Sequence, residues 1–247
     1  MGNFQASARR RGGWLTLLLA APLMAQQGGD VQAQIVYAFQ TEDAVHLHSL
    51  RQGLQQQVRG EHPTDAARYH LAHADYRLAL LTHGAARSEA AEDLQECVDV
   101  LAPMLEREQV SAEVLALQSI CYVELAHEKK LQAVFLRARA AERIARAASL
   151  EPRNPRVKWV QALQKMQVAS ESDPPCAELV QAVELFEQSS ATSEETPGWG
   201  HAEAYLLMGH TLRARGDALG ARNWIEKALI AAPDYKAAQA ELARLNR

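Results

Sequence analysis

Nowhere in this 247-residue chain do Val, Ile or Thr alternate with polar residues as a half-buried strand requires, so a β-sheet frame is not expected. A membrane span wants roughly 20 apolar residues, and the most apolar run, residues 14–25, holds 12. Lys and Arg number 26 against 30 Asp and Glu, for a formal charge of -4. That mildly acidic balance argues against nucleic acid, whose binding depends on clustered cations that release counterions. Three cysteines, Cys97, Cys121 and Cys176, cannot all pair. The usual signatures of catalysis are missing as well. There is no Gly-rich phosphate loop after a strand, no His-Glu-x-x-His, no Cys-x-x-Cys and no Gly-x-Ser-x-Gly.

What is present is an alanine-rich composition, 48% hydrophobic and 23% charged, within the range of ordered globular proteins. The clearest pattern runs over residues 202–235. Tyr205, Met208 and Leu212 fall on one helical face with Gly209 among them. A glycine inside a helix costs roughly 1 kcal/mol against alanine, so close packing against a second helix is its expected reason. Gly216-Asp217 marks a turn, and Ala221, Ile225 and Ala228 form the matching stripe of the second helix. Pro233 closes that helix. This 34-residue helix–turn–helix resembles the tetratricopeptide repeat (TPR).

One such unit cannot bury its apolar face alone, so further units are expected to stack on it. Ala140, Ile144, Ala147 and Pro152 repeat the spacing of Ala221, Ile225, Ala228 and Pro233, with residues 111–126 as their first helix and about nine extra residues between, which read as an outer loop. A third unit opens at Asn154-Pro155 and holds Trp159 and Met166. After a polar break at 170–175 it continues in a helix with Ala182, Phe186 and Ser189. Residues 65–81 pair with 88–107 as the earliest unit. The expected fold is therefore all-α: a TPR-like α-solenoid of about four helical hairpins over residues 64–247, which the resemblance implies to be a right-handed superhelix. Residues 26–63 read as an irregular helical cap, within which 35–39 fit either a helix start or a strand. Residues 237–245 read as a helix shielding the last unit.

The resemblance also implies a concave groove lined by the first helix of each unit, where family members bind peptides or protein segments. Its positions fall on Glu203, Leu206, His210 and Arg213 in the clean unit, on Arg156, Trp159 and Leu163 in the third, and on Glu113, Ile120, His70 and Arg77 in the earlier ones. Members that clamp a C-terminal carboxylate carry lysine and asparagine where this chain has Glu203 and His210, so that specificity is not implied. Arg137, Arg139, Arg143 and Arg146 are interleaved with Glu142 and read as a solvated helix face. Trp199, ending the polar loop 192–200, reads as a cap on the neighbouring core.

Arg9-Arg10-Arg11 followed by the apolar run 14–25 has the form of a secretory signal peptide (residues 1–25), with cleavage expected after Ala25 and Ala33 as the other position. Removing these residues deletes three arginines and no acid, which takes the formal charge from -4 to -7. In a bacterium with two membranes the mature chain would be periplasmic. Cys97 and Cys121 lie on successive helices, so a disulfide is open to them if their Cα atoms approach within about 7 Å. Free small core residues are the plainer reading, with Cys176 a lone thiol.

No cofactor or metal is expected: His70 and His73 share a helical face, but two ligands do not make a site. The function expected is that of a non-catalytic scaffold or adaptor for a protein or peptide partner. The alternative is an accessory or regulatory subunit, or an enzyme with an unrecognised site near His70 and His73 or in the 192–200 loop.

Overall fold

The computed structural model describes residues 21–82, 87–166, 176–189 and 198–245. The expected signal segment lies outside them up to residue 20, as do the break at 170–175 and most of the 192–200 loop. The described residues are all-α: α1 (Ala21–Gln40), α2 (Ala44–Arg59), α3 (Asp65–Thr82), α4 (Arg87–Leu105), α5 (Ala112–Glu128), α6 (Ala133–Leu150), α7 (Pro155–Met166), α8 (Ala177–Ser189), α9 (His201–Ala214), α10 (Ala218–Ala231) and α11 (Lys236–Leu245). No strand forms among them. Among the described residues no helix is long and apolar enough to cross a membrane.

Short polar residues start the helices by accepting otherwise unpaired backbone N–H groups. Asp43 accepts from the His46 amide at 2.9 Å, Thr64 from Ala67 at 3.1 Å, and Asp217 from Gly220 at 2.8 Å. Asn154 accepts from both Arg156 and Val157, and Pro155 takes the first helical position, where its missing N–H costs nothing.

Each helix packs on its successor, and α1, α3, α5 and α7 also touch at every second step. Small residues make these approaches possible. Ala72, Ala90, Ala116, Ala182, Ala204 and Ala228 are fully buried. In α9, a Cβ on Gly209 would stand 2.7 Å from Ile225 Cγ1 and 3.1 Å from the Ala221 carbonyl oxygen, so only glycine admits α10 at this distance.

Two expectations change. Residues 26–63 are regular rather than irregular: α1 and α2 are continuous helices packed on α3, and Ile35, Leu47 and Leu54 bury their side chains. The strand option for residues 35–39 falls with it. The nine extra residues after Ala126 do not make a loop either. They lengthen α5 to Glu128 and bring α6 forward to Ala133, with a single 3₁₀ turn (Lys130–Gln132) between. The reason is that Ala133 and Leu136 have α5 to bury against, so helix propagates into the insertion.

Cys97 and Cys121 are joined in a disulfide with their Cα atoms 6.4 Å apart, which overturns the plainer reading of two free thiols. The bond ties α4 to α5 across 24 residues and, by loop-closure entropy, stabilises the fold by about 3 kcal/mol. Cys176 is a free, half-buried thiol.

Candidate functional site

The inner faces of α3, α7 and α9 converge on Trp199, whose side chain is fully buried just ahead of α9. Its indole N–H donates to the Tyr69 hydroxyl at 2.9 Å, and its ring meets Trp159 edge-on at 5.8 Å between centroids. Gly200 follows at φ 98°, in the left-handed region open to glycine, and a Cβ there would lie 2.8 Å from the Phe186 ring. Trp199 thus caps the core, as its place in the sequence suggested.

Around Trp199 runs a buried polar chain. Arg77 on α3 pairs with Glu203 on α9 at 2.5 Å, and the second oxygen of Glu203 accepts from the Gly200 amide at 3.1 Å. Arg77 Nε also donates to His73 Nε2 at 2.9 Å, and its guanidinium lies 4.2 Å over the Phe39 ring. On the far side of the imidazole, the Gln32 amide is 2.8 Å from Nδ1. Because Nε2 accepts from a permanently charged donor, the ring proton belongs on Nδ1, and the group it needs from Gln32 is the amide oxygen. Burial drives the His73 pKa well below the ordinary histidine value, with Arg77 adding to the effect, so the ring is neutral. A second pair, Arg156 with Glu113 at 2.7 Å, lies beside it, and Asn154 donates to the same carboxylate.

The eleven residues expected to line the groove fall into two sets. Arg77, Glu203, Arg156, Trp159, Leu206 and Ile120 are buried. The first four belong to the network just described; Leu206 packs in the core, and Ile120 is enclosed because α5 is covered by α3, α4, α6 and α7. Glu113, Leu163, His70 and His210 are half-buried and Arg213 is exposed. His210 and Arg213 both face Glu241 of α11, at 3.7 Å and 2.5 Å. The chain's own Trp199 and α1 fill the space among the buried six, and α11 pairs with His210 and Arg213 through Glu241.

Four participants were not singled out from the sequence: Gln32, Phe39, Tyr69 and Tyr235. Phe39 packs on Tyr235 at 6.4 Å, and the neighbouring Tyr37 hydroxyl donates to Asp234 at 3.5 Å, so the first helix reaches the turn before the last. No local pattern marks such a contact, because its partners are nearly 200 residues apart.

Chemically the network holds and orients; it does not present a reactive group. Both His73 nitrogens are engaged, and the Arg77 and Glu203 charges neutralise one another away from solvent. Among the described residues no group of three or more His, Cys, Asp or Glu could hold a metal ion. A separate cluster on α2, α3 and α4 gathers Asp75, Asp93 and Glu96 around Arg51 at 2.6, 2.9 and 2.8 Å. Burial pushes the Asp75 carboxyl well up, and Arg51 pulls it back.

Compared with known proteins, the chain matches no family model and no curated relative.

Proposed function

We propose that this chain is an exported, non-catalytic scaffold of TPR-like, right-handed α-solenoid form that binds a protein or peptide partner along the inner side of its helix row. The observation that carries the reading is the sequential packing of α1 to α11, in which α1, α3, α5 and α7 also meet at every second step and offer a shared inner wall. The 202–235 pattern supports it through Gly209, whose tight approach to α10 is the close helix contact that the repeat demands. With the centre of that wall already occupied, the contact residues reduce to its rim: Leu163, His70 and Glu113 on one stretch, His210 and Arg213 on the other. An extended peptide or helix with an apolar anchor suits this mixture.

Two observations support export. A disulfide forms and persists in oxidising compartments. Cleavage after Ala25 would also leave intact the packing of Val31 on the core and the Gln32–His73 contact, whereas cleavage after Ala33 would remove both. N-terminal sequencing of the secreted form is expected to begin at Gln26; a start at Gln34 would defeat this part of the reading.

The scaffold proposal is tested by placing a photo-crosslinking side chain at Leu163, at His210 or, as a control on α10, at Ile230 in the producing cell. Adducts to one discrete protein from 163 and 210 and none from 230 are expected. Adducts from 230 alone would overturn the inner-wall assignment.

A further inference from the structure

We propose that the outward face of α6 is a membrane-docking surface that seats on anionic lipid headgroups. This helix is apolar on two opposite sides. Leu136, Ala140, Ile144 and Ala147 face inward and are buried. The opposite side begins with Val134 and Phe135, 85% and 59% exposed, and is preceded by Leu131 of the 3₁₀ turn, 104% exposed. Ala138, Ala141 and Ala145 continue it at the i+4, i+7 and i+11 positions from Val134, all exposed. A soluble helix normally turns a polar face outward, so this second apolar stripe calls for a partner of its own.

The charges flanking the stripe indicate which kind. At about 100° per residue, Arg137 borders one edge and Arg139 and Arg146 the other. All three are exposed, and among the described residues no carboxylate pairs with any of them. Arg139 instead lies 4.9 Å over the Phe135 ring, held beside the stripe. Glu142, the single acid of the helix, interrupts this side one turn beyond Ala138; it is exposed, and Arg143 engages it at 3.0 Å. Four arginines against one glutamate thus sit on a chain whose overall formal charge is -4.

Apolar side chains that stand clear of their neighbours can enter the boundary between headgroups and acyl chains without a matching pocket. Arginines along both edges reach phosphates at that same depth. An acidic protein surface would answer the charge, but it would have to supply pockets for three protruding side chains.

The test follows the face itself. In a Cys176→Ser background, Val134→Cys carries an environment-sensitive nitrobenzoxadiazole label. The labelled full chain is titrated with vesicles of phosphatidylcholine containing 30% phosphatidylglycerol, or of phosphatidylcholine alone. The apolar residues 14–25 have their own affinity for lipid, but it is common to every arm and does not report at position 134. A blue shift with the anionic vesicles and little with the neutral ones is expected. The triple substitution Arg137→Gln, Arg139→Gln and Arg146→Gln should weaken the response roughly 100-fold, about fivefold for each cation removed. An unmoved label, or an equal response to both lipids, would overturn the proposal. So would a shift that appears without lipid and grows with protein concentration, because a second copy would then be the partner of this face.

Discussion

Arg77, which the repeat resemblance assigned to the groove, sits in the interior and is bonded to His73. Their burial has a measurable consequence in acid. The unfolded chain protonates His73 near pH 6.5, whereas the folded chain resists protonation because burial and the adjacent Arg77 disfavour a second cation. The unfolded state therefore binds more protons below that value. The stability tied to His73 is fully present above pH 6.5 and is lost as the pH falls. Burial lowers His70, His201 and His210 in the same direction, while Asp75, pushed upward, acts with the opposite sign. A His73→Gln variant isolates one contribution. Its destabilisation relative to the parent, read from urea midpoints, should shrink by about 1.4 kcal/mol between pH 7.5 and 5.5. The ion pair one turn along is tested separately. Glu203→Ala leaves the Arg77 charge buried without its carboxylate and should cost about 3–5 kcal/mol, while Glu203→Leu combined with Arg77→Met should recover much of that loss.

At the scale of elements, the α9–α10 pair shows how much of a helix contact local sequence can specify. Gly209, Ala221, Ile225 and Ala228 were legible as a close-packed pair from their spacing alone, and the last three are fully buried in the structure. Gly209→Ala should nevertheless destabilise by about 1–3 kcal/mol, since the clash with Ile225 and the Ala221 carbonyl outweighs the gain in helix propensity. A rise in thermal midpoint would remove that glycine from the argument. The α5–α6 pair shows the converse. Its extra residues looked like a loop because they break the repeat length, but a repeat length says nothing about whether a neighbouring helix is long enough to support more turns. The disulfide was missed for a related reason. Free core residues were the plainer reading of Cys97 and Cys121, and only their Cα separation of 6.4 Å shows them as a pair.

For the whole molecule, the decisive contacts join the two ends. Phe39 and Tyr37 of α1 meet Tyr235 and Asp234, and Arg77 of α3 meets Glu203 of α9, so the row does not simply run from one free end to the other. An open row of repeats unfolds by local increments, each unit answering only to its neighbours. Tethered ends share their fate. Phe39→Ala should therefore raise amide exchange in α10 and α11 as well as in α1. An increase confined to α1, α2 and α3 would show that the tether carries no coupling.

From the sequence by itself came the all-helical class, the position of most helices and the clean pattern of residues 202–235. These rest on side-chain periodicity, capping residues and turn glycines, which act within a few residues of one another. Only the tertiary structure decided that the expected groove residues would be divided between an interior network and a rim. Burial of Arg77, Arg156 and Glu203 depends on Trp199 and α1 arriving from distant parts of the chain. Local periodicity can say that a residue faces inward; whether that inner space stays open depends on what else in the chain comes to fill it.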